Sequence, residues 1–332
     1  MTTMDTPVSE DKVRALLEQQ SSAELRPAYE GCNISTSLGF KQINYLVEAA
    51  VLEHFRAAGL PAGGLYDRFG LGLDVVEIAT RLPAHLHIDD VPKLTVTPDT
   101  RKGGLRFKVV ATVQREGAEV TTSTSTVSAV LRRDSGATAP VPDGLHPFVA
   151  DRIGGAEPRP LATEPAPRSE LSAGRGTSTD PVLAELTQGQ NAFGWRWRIP
   201  YFYCHFSERV QMSGFLRQME EVVDLFLADR GLDIKRVLDG RHWIPVVTKS
   251  DVRLLDEVIM EEDLYTIYTV EDVFKGLLYT SRMDCYVVRD GAVVPVATGH
   301  ITHGYMTKRK TGVWEMVTFD EETVAAFEGV NR

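Results

Sequence analysis

The chain has 332 residues, of which 43% are hydrophobic, and this length allows two domains of ordinary size. Its formal net charge of -10 at pH 7 disfavours nucleic acid or an anionic membrane as the main partner, because both attract basic surfaces. Three cysteines without a CxxC pair indicate neither a disulfide framework nor a zinc site, so we expect reduced thiols in the core.

Residues 1–27 are predicted to be an N-terminal extension. They lack the charged and then apolar order of a signal peptide, and no apolar run in the chain reaches about 18 residues. We therefore expect a cytoplasmic protein with no membrane partner.

The first long helix is predicted over INYLVEAAVLEHFRAAGL, and it ends at Gly59 because glycine commonly follows the last helical turn. Glu48 lies in this helix with apolar residues on nearly all sides. A buried carboxylate is costly unless it is paired or used, so Glu48 is a candidate catalytic residue. Asn33 and Gly39 precede the helix and are candidates for contacting a substrate, with an ordinary turn glycine as the alternative for Gly39.

Four strand-like segments follow this helix: DVVEIATRLPAHLHI, KLTVTP, LRFKVVATVQREG and AEVTTSTSTVSAVL. The Arg115–Glu116–Gly117 turn between the last two predicts a hairpin. We assign residues 28–131 to a first repeat. Residues 132–190 are predicted to be a linker, because 132–181 are rich in Pro, Ala, Gly and Ser and lack apolar periodicity.

The second half of the chain repeats this order in residues 191–310, followed by a C-terminal tail, 311–332. A shift of 172 residues aligns Tyr29 with Tyr201, Cys32 with Cys204, and Glu48 with Glu220. A second helix is predicted to end at Gly231, and Arg289–Asp290–Gly291 predicts a second hairpin. One helix followed by antiparallel strands, twice, predicts an α+β chain with two like halves.

The second half also offers candidate site residues. Aromatic residues from Tyr201 to Tyr203 predict a strand that ends near His205, a candidate acid or base. Glu220 flanks the apolar stripe of the second helix, and a solvated helix face is the alternative. Other candidates for contacting a substrate lie near the helix start: Glu208, Arg209 and Gly214.

The two halves resemble the hot-dog fold, in which an antiparallel sheet wraps one long helix. Through HFSER, LRQMEEVVDLFLADRGL and GAVVPVATGHITHGYM, the second half resembles the 4-hydroxybenzoyl-CoA thioesterase branch. Through INYLVEAAVLEHFRAAGL, the first half resembles the N-terminal repeat of tandem acyl-carrier-protein thioesterases. HFSERVQMSGFL is more weakly similar to the HFPGxPVMPGVL segment of β-hydroxyacyl-carrier-protein dehydratases.

This resemblance implies a double hot-dog thioesterase that acts on acyl-CoA or an acyl-carrier-protein thioester of fatty-acid or polyketide type, with no cofactor or metal. The resemblance also allows the protein to form a homodimer. The resemblance also implies composite sites that pair His205 with Glu48 and Asn33 with Glu220, the first pair being the active one. Two alternatives stay open: a β-hydroxyacyl-thioester dehydratase or isomerase, and a non-catalytic protein that binds an acyl chain or a carrier protein.

Overall fold

The computed structural model describes residues 8–99, 101, 103–167, 176–204, 207–309 and 313–329. The chain divides into two compact units, Met1–Ile153 and Gly154–Arg332, which we call the N-terminal and the C-terminal unit. The boundary between them falls inside the segment predicted to be a linker. We keep residues 28–131 and 191–310 as the proposed limits of the two repeats.

The N-terminal unit contains one long helix and an antiparallel sheet. Its elements are α1 (Glu10–Glu18), β1 (Ser21–Glu24), α2 (Phe40–Ala57), α3 (Ala62–Phe69), β2 (Leu71–Arg81), β3 (Lys93–Pro98), β4 (Leu105–Arg115), β5 (Ala118–Arg133) and β6 (Val149–Ala150). The antiparallel strand order is β1-β3-β4-β5-β2, and the short β6 pairs with β5 in parallel.

The C-terminal unit repeats this plan. Its elements are β7 (Arg159–Pro160), α4 (Pro181–Thr187), β8 (Ala192–Arg198), α5 (Met212–Asp229), α6 (Ile234–Arg241), β9 (Ile244–Leu254), β10 (Asp263–Phe274), β11 (Leu278–Arg289), β12 (Ala292–Lys308), β13 (Trp314–Met316) and α7 (Glu321–Glu328). The antiparallel strand order is β8-β10-β11-β12-β9, and β7 and β13 also pair with β12.

The order of strands is therefore the same in both units, and the two long hairpins agree in detail. Glu116–Gly117 and Asp290–Gly291 close them, and all four residues have positive φ, as a type I′ turn requires. Each hairpin also has a register shift at the same place, after Ala111 in β4 and after Cys285 in β11. The predicted hairpins, helices and like halves are thus present.

Each long helix packs an apolar stripe against the sheet of its own unit. Val47, Val51 and Phe55 of α2 are fully buried, and their spacing of four residues keeps them on one helix face. The corresponding stripe of α5 includes Met219 and Phe226, which are also fully buried. Burying each such side chain stabilises the fold by about 1.5–3 kcal/mol, so these stripes hold the helices in place.

The aromatic run before α5 is not a strand, as the sequence predicted, but a turn of 3-10 helix over Tyr201–Tyr203. Pro200 precedes it and has no N–H for a strand ladder, so β8 ends at Arg198. The rings of Tyr201 and Phe202 are 71% and 59% exposed, so they do not belong to the core.

The segments predicted to be extension, linker and tail also contain regular structure. The extension contains α1 and β1, the linker contains β6, β7 and α4, and the tail contains β13 and α7. The start of α4 has a capping signal: the Asp180 side chain accepts a hydrogen bond from Val182 N, and Pro181 occupies the first turn. The composition of the surrounding segment, which is typical of a linker, made this signal easy to miss. Cysteine placement differs as well, because Cys204 and Cys285 are buried but Cys32 is partly exposed.

Among the described residues, no helix is long and apolar enough to cross a membrane.

Candidate active site

Glu48 is a carboxylate in an unusual position, because it lies on the apolar central helix of the N-terminal unit. It lies midway along α2, beside the fully buried Val47, and is itself partly buried. Burial, together with the negative charge of Asp74, raises the pKa of Glu48 from 4.5 to about 7. A carboxyl group with a pKa near 7 exists in both protonation states at neutral pH, so it can act as base and then as acid.

Asp74 is the second carboxylate of this site, and the sequence analysis did not identify it. It lies in β2 and is 2% exposed. The negative charge of Asp74 disfavours ionisation of Glu48, so it favours the protonated form of the Glu48 carboxyl. Asp74 therefore helps to bring the pKa of Glu48 close to neutral pH.

A buried hydrogen-bond chain fixes α2 against the sheet one turn before Glu48. Thr80 Oγ1 donates to Asn44 Oδ1 at 2.6 Å and lies 2.8 Å from Ser125 Oγ. All three side chains are at most 1% exposed. Because Asn44 lies one turn before Glu48, this chain fixes the part of α2 that carries Glu48.

The loop before α2 has a strained backbone. Ser35 and Thr36 have φ of 73° and 65°, a left-handed conformation that side chains other than glycine rarely adopt. The loop is held by two backbone bonds, Asn33 N to Ser37 O at 2.7 Å and Ile88 N to Thr36 O at 3.0 Å. The Asn33 side chain is exposed. Such strain persists only where the surroundings impose it, and it is common at ligand sites.

Gly39 is the N-cap of α2 and has no side chain to bind the free amides of the first turn. The helix dipole adds a partial positive charge at this end. Gly31 allows the loop to pass close by, because a Cβ there would lie 1.9 Å from Gln42 Cγ. The start of α2 can therefore polarise a carbonyl oxygen.

The equivalent helix start of the C-terminal unit is more tightly filled. A Cβ on Gly214, in the first turn of α5, would lie 2.9 Å from the Tyr203 carbonyl oxygen. Glycine is therefore needed here for packing. Arg209 is 6% exposed, Glu208 is exposed, and Glu220 is partly buried on α5.

His205 lies outside the described residues. Its predicted pairing with Glu48, and that of Asn33 with Glu220, stay predictions.

Another polar group lies beneath α5, and the sequence analysis did not find it. Gln218 Nε2 donates to Thr266 Oγ1, and Cys285 Sγ lies 4.0 Å from Gln218 Oε1. Burial raises the pKa of Cys285 to about 12, so this thiol stays protonated and is not a nucleophile. In the sequence, the position of Gln218 within the apolar stripe of the second helix could have indicated this polar group.

The described part of the chain holds no group of three or more His, Cys, Asp or Glu side chains that could bind a metal ion.

Comparison with known proteins identifies the fold. No protein-family profile and no curated sequence matches the chain. A provisionally assigned oleoyl thioesterase from Lactobacillus plantarum is similar in structure, with a TM-score of 0.53 and 13% identity over 86% of this chain and 96% of that one. The 12:0-ACP thioesterase from Umbellularia californica is similar too, with a TM-score of 0.52 and 10% identity over 90% and 97%. The repeated helix and sheet together with these similarities show that the chain has a tandem hot-dog fold.

Proposed function

We propose that the chain hydrolyses an acyl thioester of CoA or of an acyl carrier protein. The observation that supports this most directly is Glu48, a carboxyl group on the central helix whose pKa is raised to about 7 by burial and by the negative charge of the buried Asp74. The fold is shared with proteins named as acyl thioesterases, which makes a thioester the first substrate class to test.

In this proposal the Glu48 carboxylate removes a proton from water as the water oxygen attacks the thioester carbonyl carbon. The amides at the start of α2, next to Gly39, donate hydrogen bonds to the developing oxyanion. The C–S bond then breaks, and the proton on Glu48 passes to the departing thiolate. A pKa near 7 suits both steps, because the same group must first accept and then release the proton.

The other candidates take supporting roles in the proposal. His205 assists the proton transfer, and Glu220 is a second candidate base. Asn33, Glu208 and Arg209 contact the substrate near the helix starts. Gly214 keeps the first turn of α5 close to Tyr203.

The test is release of free thiol from a panel of acyl-CoA and acyl-carrier-protein substrates. Glu48→Gln should lower kcat by about 10²–10⁴-fold, the usual contribution of a general base. Glu53→Gln is the matched control, because Glu53 lies on the same helix in an ion pair with the exposed Arg56. It should retain full activity.

Mass spectrometry of the same reactions separates the alternatives. Loss of water from a β-hydroxyacyl thioester without thiol release would indicate a dehydratase. Tight binding of acyl thioesters with neither reaction would indicate a binding protein. Full hydrolytic activity in Glu48→Gln would remove Glu48 from the mechanism.

A further inference from the structure

Two loops of the N-terminal unit are joined where α2 begins. One, residues 33–38, leads into Gly39, the N-cap of α2, and the other, residues 82–92, connects β2 to β3. Two backbone hydrogen bonds link them: Leu38 N to the Leu86 carbonyl at 2.8 Å, and Ile88 N to the Thr36 carbonyl at 3.0 Å. The position of the β2–β3 loop therefore determines where the backbone enters α2.

An ion pair holds the β2–β3 loop in place. Arg115, the last residue of β4, donates from Nη2 to Asp90 Oδ2 and to the His85 carbonyl, both at 2.6 Å. The same Asp90 oxygen accepts a hydrogen bond from His87 N at 2.8 Å. Hydrogen bonds between charged groups are shorter and roughly twice as strong as neutral ones. We call Arg115, Asp90 and residues 85–88 the N-terminal clamp.

The C-terminal unit contains the same arrangement, which we call the C-terminal clamp: Arg289, Glu262 and residues 257–260. Arg289 donates to both Glu262 oxygens at 2.8 Å and to the Glu257 carbonyl at 2.7 Å. Glu262 Oε2 also accepts a hydrogen bond from Ile259 N at 2.7 Å. Two backbone bonds again link this loop to the one before the long helix: Val210 N to the Val258 carbonyl and Met260 N to the Glu208 carbonyl, both at 2.8 Å.

The loops of the two clamps correspond residue by residue. The shift of 172 residues that aligns the long helices also relates Asp90 to Glu262 and His87 to Ile259. The same backbone atoms are bonded in both units, although most of the side chains differ. A set of bonds that recurs with different side chains indicates that the clamp serves to position the backbone.

The loop before the long helix is strained in the N-terminal unit. Ser35 and Thr36 have φ of 73° and 65°, whereas their counterparts Ser207 and Glu208 do not have positive φ. A left-handed backbone at such residues persists only where the surrounding contacts impose it. The bond from Ile88 N to the Thr36 carbonyl is one of these contacts, and Ile88 follows directly after the residues that the clamp bonds. Loss of the clamp would therefore let the loop before α2 relax.

We infer that Arg115 and Asp90 are positioning residues for the proposed hydrolysis: they hold the strained loop so that the amides at the start of α2 point at the thioester carbonyl. This inference rests on the proposed function. Both side chains act through the backbone of the β2–β3 loop rather than on the substrate. An oxyanion-hole donor acts mainly in the transition state, and it does so only at the correct distance. Loosening the clamp should therefore lower kcat and leave KM nearly unchanged.

The experiment measures kcat and KM for thiol release in Arg115→Met. We expect kcat to fall by about 10–10²-fold, since a misplacement of about 1 Å at a reacting centre has a cost of this order. Arg106→Met is the matched control, because Arg106 is on the same strand and forms an ion pair with the partly exposed Glu77. It should retain both kinetic constants.

Asp90 offers a pair of variants that separates positioning from loss of folding. Asp90→Ala removes the carboxylate and should lower kcat as Arg115→Met does. Asp90→Glu should retain most of the activity, because the C-terminal clamp has Glu262 at this position. This pair also decides the question if Arg115→Met does not fold. A loss in Asp90→Glu as large as in Asp90→Ala would overturn the inference, as would wild-type kcat in Asp90→Ala.

The C-terminal clamp provides a further comparison. Arg289→Met frees the loop that carries the proposed substrate contacts Glu208 and Arg209, so it should raise KM rather than lower kcat. A loss of kcat as large as in Arg115→Met would overturn the inference, because the effect would then not depend on the start of α2.

Hydrogen exchange followed by mass spectrometry gives a readout that does not depend on hydrolysis. In Arg115→Met the amides of Leu38 and Ile88 should exchange faster than in the wild type, because their bonds join the two loops. The amides of residues 105–113 in β4 should exchange as before. Unchanged exchange at Leu38 and Ile88 would overturn the inference.

These results differ from a failure of the proposed function. Thiol release with wild-type kcat in both Arg115→Met and Asp90→Ala contradicts only the inference. Faster exchange of the loop amides in Arg115→Met, without thiol release from any substrate by the wild type, contradicts only the hydrolysis.

Discussion

The sequence shows that Glu48 lies in an apolar helix, but it cannot show how far the pKa of this carboxyl is raised. The apolar residues around it predicted burial, but the influence of Asp74 depends on how β2 lies near α2. The two residues are far enough apart in the chain that no local pattern links them.

The raised pKa of Glu48 predicts a pH-dependent activity. If the carboxylate is the base, kcat/KM should rise with pH and reach half its maximum at about pH 7. Asp74→Asn removes the neighbouring negative charge and should move this midpoint to lower pH. Glu18→Gln is a control, because Glu18 is exposed at the end of α1. A profile that Asp74→Asn leaves unchanged would contradict the coupling of the two carboxylates.

The same group affects stability with a definite sign. A carboxyl whose pKa is higher in the folded state binds its proton more tightly there, so its stabilising effect is complete below about pH 4.5 and is lost as pH rises through about 7. Glu48→Gln should therefore be more stable than the wild type above pH 7, by about 2–3 kcal/mol. Chemical denaturation followed by circular dichroism at pH 5 and pH 8 measures this difference. An equal difference at both pH values would contradict it.

Gly214 gives a prediction about packing at the start of α5. In Gly214→Ala the new methyl group would lie 2.9 Å from the Tyr203 carbonyl oxygen and 3.0 Å from Val210 Cγ1, so we expect a loss of about 1–3 kcal/mol. Gly240→Ala is the control, because Gly240 is in α6 with no atom near its Cβ position, and it should be neutral or stabilising.

Urea unfolding followed by tryptophan fluorescence suits this test, since all four tryptophans lie in the C-terminal unit. Equal midpoints for the Gly214→Ala and Gly240→Ala proteins would show that the turn over Tyr201–Tyr203 can move away from the helix.

At the scale of elements, α4 is tied to the sheet of the C-terminal unit by a buried ion-pair network. Arg196 of β8 is 2% exposed and donates to Asp180, the N-cap of α4, at 2.6 Å and to Asp263 of β10 at 2.7 Å. It also donates to the Ala166 carbonyl at 2.7 Å. This network explains why α4 is held against the sheet although the segment before it has a linker-like composition.

Removal of Arg196 should be costly because it leaves buried carboxylates uncompensated. We expect Arg196→Met to lower the free energy of unfolding by about 3–5 kcal/mol. Arg198→Met is the control, because Arg198 is on the same strand but pairs with Glu261 at the surface, and it should cost at most about 1 kcal/mol. Tryptophan fluorescence reports both directly, since Trp195 and Trp197 flank Arg196. Similar losses in both variants would contradict a special role for the buried network.

The sequence predicted elements well where local signals were strong. The helix patterns, the glycines after them and the Arg-Glu-Gly and Arg-Asp-Gly turns correspond to α2, α5 and the two hairpins. The prediction failed for Tyr201–Tyr203, where aromatic composition favoured a strand but Pro200 ended the ladder. It also missed α4, whose Asp180–Pro181 start signal lay in a segment judged by its composition.

At the scale of the whole molecule, the internal repeat predicted an α+β chain with two like halves, and the resemblance of its motifs to known families predicted the tandem hot-dog fold. Overall identity gives little support for the fold, since the two similar solved structures share only 13% and 10% identity with the chain. The apolar pattern of a helix and the alternation of strands persist when individual residues do not.

The net charge of -10 leads to a prediction about how kcat/KM depends on ionic strength. Long-range repulsion should slow the approach of an anionic acyl-CoA, so raising the ionic strength from low to physiological should increase kcat/KM by about 2–10-fold. Stopped-flow or steady-state measurement over a salt series tests this. A decrease with salt would instead reveal a local basic surface that attracts the substrate.

The register shift shared by the two hairpins has a consequence for how such a molecule can diversify. Slippage by a single residue would turn every inward side chain outward, so a bulge fixed at one point keeps the inward set constant. The backbone register can therefore stay the same while the inward-facing side chains differ. Residues 105–131 and 279–305 have matching strand register. Exchanging one segment for the other should therefore change the inward-facing side chains without changing the course of the backbone.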